Sequence, residues 1–388
     1  MRNPNVSFVV PCYKLAHLLP ECLNSILGQS YGDFEVLIMD DCSPDNTAEV
    51  ARSFQDPRVK YIRNDPNLGA LSNYNKGIKL SRGKYVWLVS ADDFLRRPYV
   101  LQRYVDLMEA NPGIGFTFCP GVGVKDGKET GLIGYSSYGE GDRVVGGRDF
   151  LQKLLDYDLI LTVAAMARRE CYEKISYFPI KPKWAHVPID LIWGGDWYLW
   201  CAFALHYDIG YLAEPMVCYR EHELAMSVIV TEQQSQNCFL ADVAVPWIIK
   251  QQADKAGYGA VSQKCLRSLA ALYAQHIVGK DYRTSKSTIT VETFEDSLCW
   301  NTSNERERAW IRSRTFNDVA DLYFDRRDYV HAKRYYRQAL EHDPWMAKTQ
   351  AKRLLLSGGK LGDLVRRRLR RLRVRAAFSS SVKCDTRS

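Results

Sequence analysis

The chain contains no run of about 18 consecutive apolar residues, the minimum for a membrane-spanning helix. Its opening Met1-Arg2-Asn3-Pro4 leads into a strand-like segment instead of the apolar stretch of a signal peptide. A cytoplasmic protein is therefore expected. The eleven cysteines are an odd number, scattered without any Cys-x-x-Cys pair. That excludes a sequence-local zinc or redox site and points to free thiols in a reducing compartment. A basic face of the kind that binds nucleic acid is also missing: the net charge of +8 resides between Arg366 and Ser388, where nine Lys and Arg stand against one acid, Asp385, and the preceding residues balance. No nucleic-acid partner is expected.

What is present suits packed domains. A chain of 388 residues, 46% hydrophobic and 25% charged, has room for two or three domains of about 100 to 200 residues each. The first 120 residues alternate β-rich and amphipathic runs, the pattern of an α/β fold with a mostly parallel sheet. Strands are expected at 6–10, 35–39, 59–62, 85–89 and 114–118, and several are apolar throughout, as when both sheet faces are covered. The glycine-rich stretch 121–147 reads as a long surface loop. A helix over 149–157, an apolar run over 161–167, a helix opening at Asp196 and a strand near 209–212 follow.

Beyond residue 231 the pattern becomes helical. Over 313–346 the residues Phe316, Val319, Ala320, Tyr323, Tyr329, Ala332, Tyr336, Ala339 and Pro344 fall where a tetratricopeptide-like hairpin places its packing side chains. One such unit cannot bury its own faces, so it needs neighbouring helices or a partner, and 310–346 is a candidate homo-oligomer contact. The last segment, 347–388, sets Leu361, Val365, Leu369, Leu372 and Ala376 on one stripe of an arginine-rich helix, the composition of a tail that lies on an anionic membrane surface. The expected divisions are 1–230, 231–346 and 347–388, with peripheral association at the inner face of the membrane.

Four places combine polar residues with strand or helix ends, where α/β sheets gather ligands. Pro11-Cys12-Tyr13 ends the first strand. Asp40-Asp41 ends the second; adjacent carboxylates repel unless a hydrogen-bond donor or a metal takes one up, and such a donor is either the imide N–H of a uracil or thymine ring or simply the backbone of the next turn. Ser90-Ala91-Asp92-Asp93 leaves a buried strand and suits a hard cation such as Mg²⁺ or Mn²⁺, although Asp-Asp also starts helices. Asp196 is a general base or an N-cap, and His222, in Tyr219-Arg220-Glu221-His222, is a ligand or a satisfied surface histidine.

In this order, Val6 to Tyr13, Glu35 to Thr47, Asn67-Leu68-Gly69 with Asn75-Lys76-Gly77, Arg82-Gly83-Lys84-Tyr85 and Ser90 to Asp93 resemble the nucleotide-sugar-binding half of family 2 glycosyltransferases with the GT-A fold. The resemblance covers roughly residues 5 to 225. It implies that Pro11, Cys12, Tyr13, Asp41, Asn75 and Asp92 serve the donor nucleotide-sugar, that Asp93 and His222 hold Mn²⁺ or Mg²⁺ on the diphosphate, and that Asp196 is the catalytic base. Ser90 stands where the family often has another Asp, and Gly195 where a Glu usually precedes the base.

The Gln-x-x-Arg-Trp motif of processive members is absent, so a single addition is expected. The implied function is an inverting, metal-dependent transfer of one sugar from a UDP or dTDP donor to a glycan or lipid-linked glycan in bacterial surface-polysaccharide assembly. The alternative is a non-catalytic GT-A protein that binds nucleotide and serves in assembly, favoured only by Ser90 and Gly195. A nucleotidyltransferase is opposed by Lys14-Leu15-Ala16-His17, which stands where a glycine-rich phosphate loop would follow strand one.

Overall fold

The computed structural model describes residues 3–180, 183–184, 187–188, 191–223, 225, 232–282, 289–302 and 304–357. The expected membrane-binding stripe at 361–376 lies outside them. The chain divides into two compact units, 1–265 and 266–388.

In the first unit the elements run β1 (Val6–Cys12), α1 (Leu19–Leu27), β2 (Phe34–Asp40), α2 (Thr47–Ser53), β3 (Val59–Arg63), α3 (Ala70–Leu80), β4 (Tyr85–Leu88), β5 (Phe94–Leu95), α4 (Val100–Ala110), β6 (Ile114–Phe118), β7 (Gly121–Lys125), β8 (Lys128–Leu132), β9 (Arg143–Val145), α5 (Gly147–Leu154), β10 (Ala165–Arg168) and α6 (Arg169–Lys174). The short β11 (Lys183–Trp184) and β12 (Val187–Pro188), then α7 (Gly195–Ala204), β13 (Asp208–Tyr211), β14 (Val217–Arg220) and α8 (Glu232–Lys255) complete it, and α9 (Gly259–Tyr282) crosses into the second unit. The main sheet has eight strands in the order β3-β2-β1-β4-β10-β6-β13-β9. Its first four strands are parallel, while β10 runs antiparallel to both neighbours.

The near-continuous apolar runs of β1, β2 and β4 are buried on both faces, which is why they carry no alternation. Phe8 stacks on Trp87 with centroids 5.6 Å apart, and Trp87 meets Tyr104 of α4 at 4.4 Å. Full burial of each such side chain contributes about 1.5–3 kcal/mol. This rigid layer ends at the carboxyl edge of β1, β2 and β4, where Tyr13, Asp41 and Asp92 emerge.

Residues 121–147 are not a long loop. They contain β7 and β8, which join β5 and β14 in a second sheet ordered β5-β14-β7-β8, and β9, which closes the main sheet. The glycines that suggested a loop serve close packing: a Cβ on Gly121 would lie 2.3 Å from Leu161 Cδ1, and one on Gly123 2.4 Å from Thr130 Oγ1. The first unit also reaches past the boundary expected at 231. Helix α8 packs on α7 and on the 3₁₀ turn Leu191–Trp193, and α7 is buried on nearly every face, so α8 supplies a wall of this unit.

The second unit continues with α10 (Val291–Asn301), α11 (Glu305–Asp325), α12 (Tyr329–His342) and α13 (Ala347–Ser357). Asn304 caps α11 by accepting from the backbone N–H of Arg306 and Glu307. Helices α11 and α12 pack together through Phe316, Val319, Ala320, Tyr323, Ala332, Tyr336 and Ala339, all buried. Tyr323 stacks on Tyr335 at 5.6 Å.

Candidate active site

Asp92 and Asp93 follow β4, and the second sheet brings the end of β14 onto them because β5, immediately after Asp93, pairs with β14. The backbone N–H of Arg220 donates to Asp93 Oδ1 at 3.0 Å, and Arg220 Nε donates to the Asp92 carbonyl at 2.9 Å. A third bond, from the same guanidinium to Glu21 Oε2 at 2.5 Å, ties this clamp to α1. His222 Nε2 stands 3.0 Å from Asp92 Oδ2. The histidine therefore pairs with the first carboxylate of the motif. Both side chains are about one-fifth exposed, at 18% for His222 and 21% for Asp92.

Burial, reinforced by the neighbouring Asp92 carboxylate, pushes Asp93 well above the usual carboxylate range, against the opposing pull of Arg220. Asp92 Oδ1 is buried without a hydrogen-bond partner among the described residues. A buried carboxylate oxygen left unpaired costs free energy, and a hard divalent cation is the partner that suits it. Mg²⁺ takes one or two protein carboxylates and completes its shell with substrate phosphates and water. The residues thus fit such an ion, although among the described residues no three His, Cys, Asp or Glu side chains form a ready-made cage.

The two carboxylates ending β2 have separate duties. Asp40 is fully buried and accepts from the Ser43 N–H at 2.8 Å, Tyr61 Oη at 2.6 Å and Arg63 at 2.7 Å. Asp41 organises the segment before α3: its Oδ1 accepts from Asn64 Nδ2 at 2.9 Å and the Leu68 N–H at 2.8 Å, and its Oδ2 from the Gly69 N–H at 2.9 Å. Gly69 adopts φ of 80°, a left-handed conformation that costs glycine little. A carboxylate offers about four acceptor sites, so Asp41 retains one.

The other donor-side candidates differ in reach. Tyr13 is 44% exposed at the carboxyl edge of β1. The Cys12 thiol is buried in the core beside Thr47, and burial pushes it up to about 12, so it faces away from solvent. The Pro11 carbonyl accepts from the Ala91 N–H at 3.1 Å, joining the strand-one and strand-four ends. Asn75 is occupied on both sides of its amide: Nδ2 donates to the Phe178 carbonyl at 2.9 Å, and Oδ1 accepts from the Phe178 N–H at 3.0 Å.

Asp196 opens α7. Its Oδ2 accepts from Thr162 Oγ1 at 2.7 Å and its Oδ1 from the Trp197 N–H at 2.9 Å. Burial raises it above the usual carboxylate range despite these bonds. Sequence reasoning missed Thr162, which lies in the 3₁₀ turn Thr162–Ala164, and Asp158, pushed well above the usual range by burial and by the fields of Asp196 and Asp242. Tyr135, exposed on the turn after β8, feels the same two carboxylates, Asp158 and Asp196. No local signal marks these residues, because each reaches the site from a different part of the chain.

The model of glycosyl transferase family 2 matches residues 7–174. This segment is a family 2 glycosyltransferase domain. Glycosyltransferase GlyG of Streptococcus pneumoniae serotype 4 is 32% identical over 111 residues, which make up 28% of this chain and 37% of that protein. The succinoglycan biosynthesis protein ExoO of Rhizobium meliloti is 36% identical over 107 residues, 28% of this chain and 30% of ExoO. The match thus spans about a third of these relatives' length. Among solved structures, residues 1–349 of S. aureus TarS, crystallised with UDP-GlcNAc, align over 88% of this chain and 92% of that one, with a TM-score of 0.58 at 16% identity. The fold of the family 2 domain is GT-A, followed by a mostly helical region.

Proposed function

We propose that the chain is an inverting, metal-dependent glycosyltransferase. It moves one sugar per encounter from a nucleotide diphosphate sugar, UDP or dTDP favoured, to a hydroxyl of a glycan or lipid-linked glycan in surface-polysaccharide synthesis. The observation that carries this reading is the convergence on one strand end of Asp92, whose buried Oδ1 has no partner among the described residues, Asp93, and the Arg220 clamp, within the unit that carries the half-buried carboxyl Asp196. The acceptor site left on Asp41 suits an imide N–H, which uracil and thymine both present.

Asp92, Asp93 and His222 would hold Mn²⁺ or Mg²⁺, which when bound neutralises charge on the departing diphosphate as a Lewis acid. Asp196 takes the proton of the acceptor hydroxyl. The acceptor oxygen bonds to the anomeric carbon as the sugar–phosphate bond breaks, and the bonding pair leaves with the nucleoside diphosphate. One displacement inverts the anomeric centre, so an α-linked donor gives a β-linked product. A carboxyl raised by burial is better matched to proton abstraction near neutral pH than an exposed one.

The relatives named for polysaccharide synthesis support the acceptor class, and the absence of a processive motif supports single addition. The apolar stripe of the arginine-rich segment 361–376 supports binding at the inner membrane face; no described helix is long and apolar enough to cross a membrane. Deleting residues 361–388 is expected to release the protein from anionic vesicles without changing donor hydrolysis, and a truncated protein that still sediments with them refutes the tail's role.

The test of the whole reading is calorimetry with UDP, dTDP and GDP, with and without Mn²⁺, joined to a transfer assay over the matching nucleotide-sugars. Metal-dependent binding of one nucleotide is expected, and Asp196→Asn should keep that binding while abolishing transfer. Binding of none of the nucleotides refutes the donor site, and undiminished transfer by Asp196→Asn refutes the assignment of the base.

A further inference from the structure

We propose that Thr162 is the positioning residue of the base, its hydroxyl fixing one oxygen of Asp196 so that the carboxylate meets the acceptor hydroxyl in a single orientation. The inference rests on the reading of Asp196 as the base and adds a residue that the family motifs do not mark.

The geometry is specific. Asp196 is the second residue of α7, and its side chain swings about its χ angles unless held. The Trp197 N–H fixes Oδ1 at 2.9 Å from within the helix, and Thr162 Oγ1 fixes Oδ2 at 2.7 Å from outside it. Two bonds on different oxygens from different elements lock the carboxylate plane. The carboxylate still keeps an acceptor site, where the proton of a sugar hydroxyl can be received.

Thr162 is itself braced. It opens a 3₁₀ turn whose Ala164 N–H donates to the Leu161 carbonyl at 2.8 Å. On one side Trp87 Nε1 of β4 donates to the Val163 carbonyl at 2.8 Å, and Tyr104 Oη of α4 donates to the Ala164 carbonyl at 2.7 Å. The turn is therefore bolted to the strand that leads to Asp92-Asp93. The base and the donor-side carboxylates share one rigid reference, as a displacement needs when about 1 Å of misplacement costs up to a hundredfold in rate.

The bond also sets the protonation of the base. The groups facing Asp196 are Asp158, Tyr135 of the turn after β8 and Tyr74 of α3, while Asp242 of α8 acts on Asp158. Burial raises Asp196, and the Thr162 hydroxyl is the largest influence that opposes it. Removing that hydroxyl raises the folded pKa further, so the acidic limb of the rate profile moves to higher pH.

The experiment measures kcat and KM against pH for the wild type, Thr162→Val and Thr162→Ser, using the donor that the nucleotide-sugar panel selects, with nucleotide affinity measured in parallel. Thr162→Val is expected to lower kcat at least tenfold, leave nucleotide affinity within about twofold, and shift the acidic limb upward. Thr162→Ser is expected to restore both kcat and the limb. A wild-type profile for Thr162→Val overturns the inference. So does a fall in nucleotide affinity that matches the fall in kcat, which marks a merely structural residue. Should the valine variant not fold, Thr162→Ala carries the same expectations and the same refutations. An active Asp196→Asn sinks the base assignment itself, whereas an inactive Asp196→Asn beside an unaffected Thr162→Val sinks only this inference.

Discussion

The main-chain N–H of Arg220 is bonded at 3.0 Å to the carboxylate of Asp93, 127 residues earlier in the chain. The guanidinium of the same residue holds the Asp92 carbonyl and reaches Glu21 of α1. These contacts lie where β14 pairs with β5, so Asp92 and Asp93 are held by the second sheet as much as by the strand that leads to them.

Arg220→Ala therefore separates two effects. The main-chain bond to Asp93 survives, while the Asp92 carbonyl and Glu21 lose their donor. Metal-dependent nucleotide affinity is expected to fall at least tenfold, about 1.4 kcal/mol, with only part regained in Arg220→Lys because an ammonium cannot span both partners in one plane. Calorimetry with Mn²⁺ present reads this directly, and unchanged affinity would show that the clamp is dispensable.

Asn75 leads to the opposite expectation. Both halves of its amide are spent on the backbone of Phe178, so Asn75→Ala leaves a buried N–H and a carbonyl unpaired, at about 1–3 kcal/mol in stability. Nucleotide affinity should stay within about twofold while thermal unfolding shifts down by several degrees. A variant with normal melting but poor nucleotide binding would return Asn75 to the donor site.

Much of the architecture was legible because it is local. The apolar runs of β1, β2 and β4 announce strands covered on both faces, and Asp41 and Asp92-Asp93 were recognisable as carboxylates at strand ends. The stretch 121–147 was misread because glycine carries two meanings: in a turn it supplies backbone freedom, and at Gly121 and Gly123 it makes room for Leu161 and Thr130. Cys12 sat in a ligand-rich motif, yet its side chain alternates inward. Thr162, Asp158 and Arg220 gain their roles only when distant segments meet, and nothing in their own neighbourhoods encodes that.

Glu35 tests how firmly the amino-terminal edge of the sheet, opposite the one that bears the site, is fixed. Its buried carboxylate accepts from Ser7 Oγ at 2.8 Å, from Lys60 Nζ at 2.9 Å, and from the backbone N–H and the guanidinium of Arg82, the latter at 2.7 Å. Burial alone would raise it, but the bonds from Arg82, Lys60 and Ser7 outweigh burial and bring it down to about 2. A carboxyl depressed in the folded state contributes stability that is fully present above its unfolded pKa, about 4.3, and is lost as pH falls towards 2. Because Lys60 and Arg82 are nearly half exposed, solvent screening discounts the contribution to on the order of 2 kcal/mol. Urea denaturation between pH 6 and pH 3 should thus show the wild type losing more stability than Glu35→Gln, which starts lower and lacks this titration. Parallel pH dependence in the two proteins would show that the Glu35 cluster does not fasten β1 to β2.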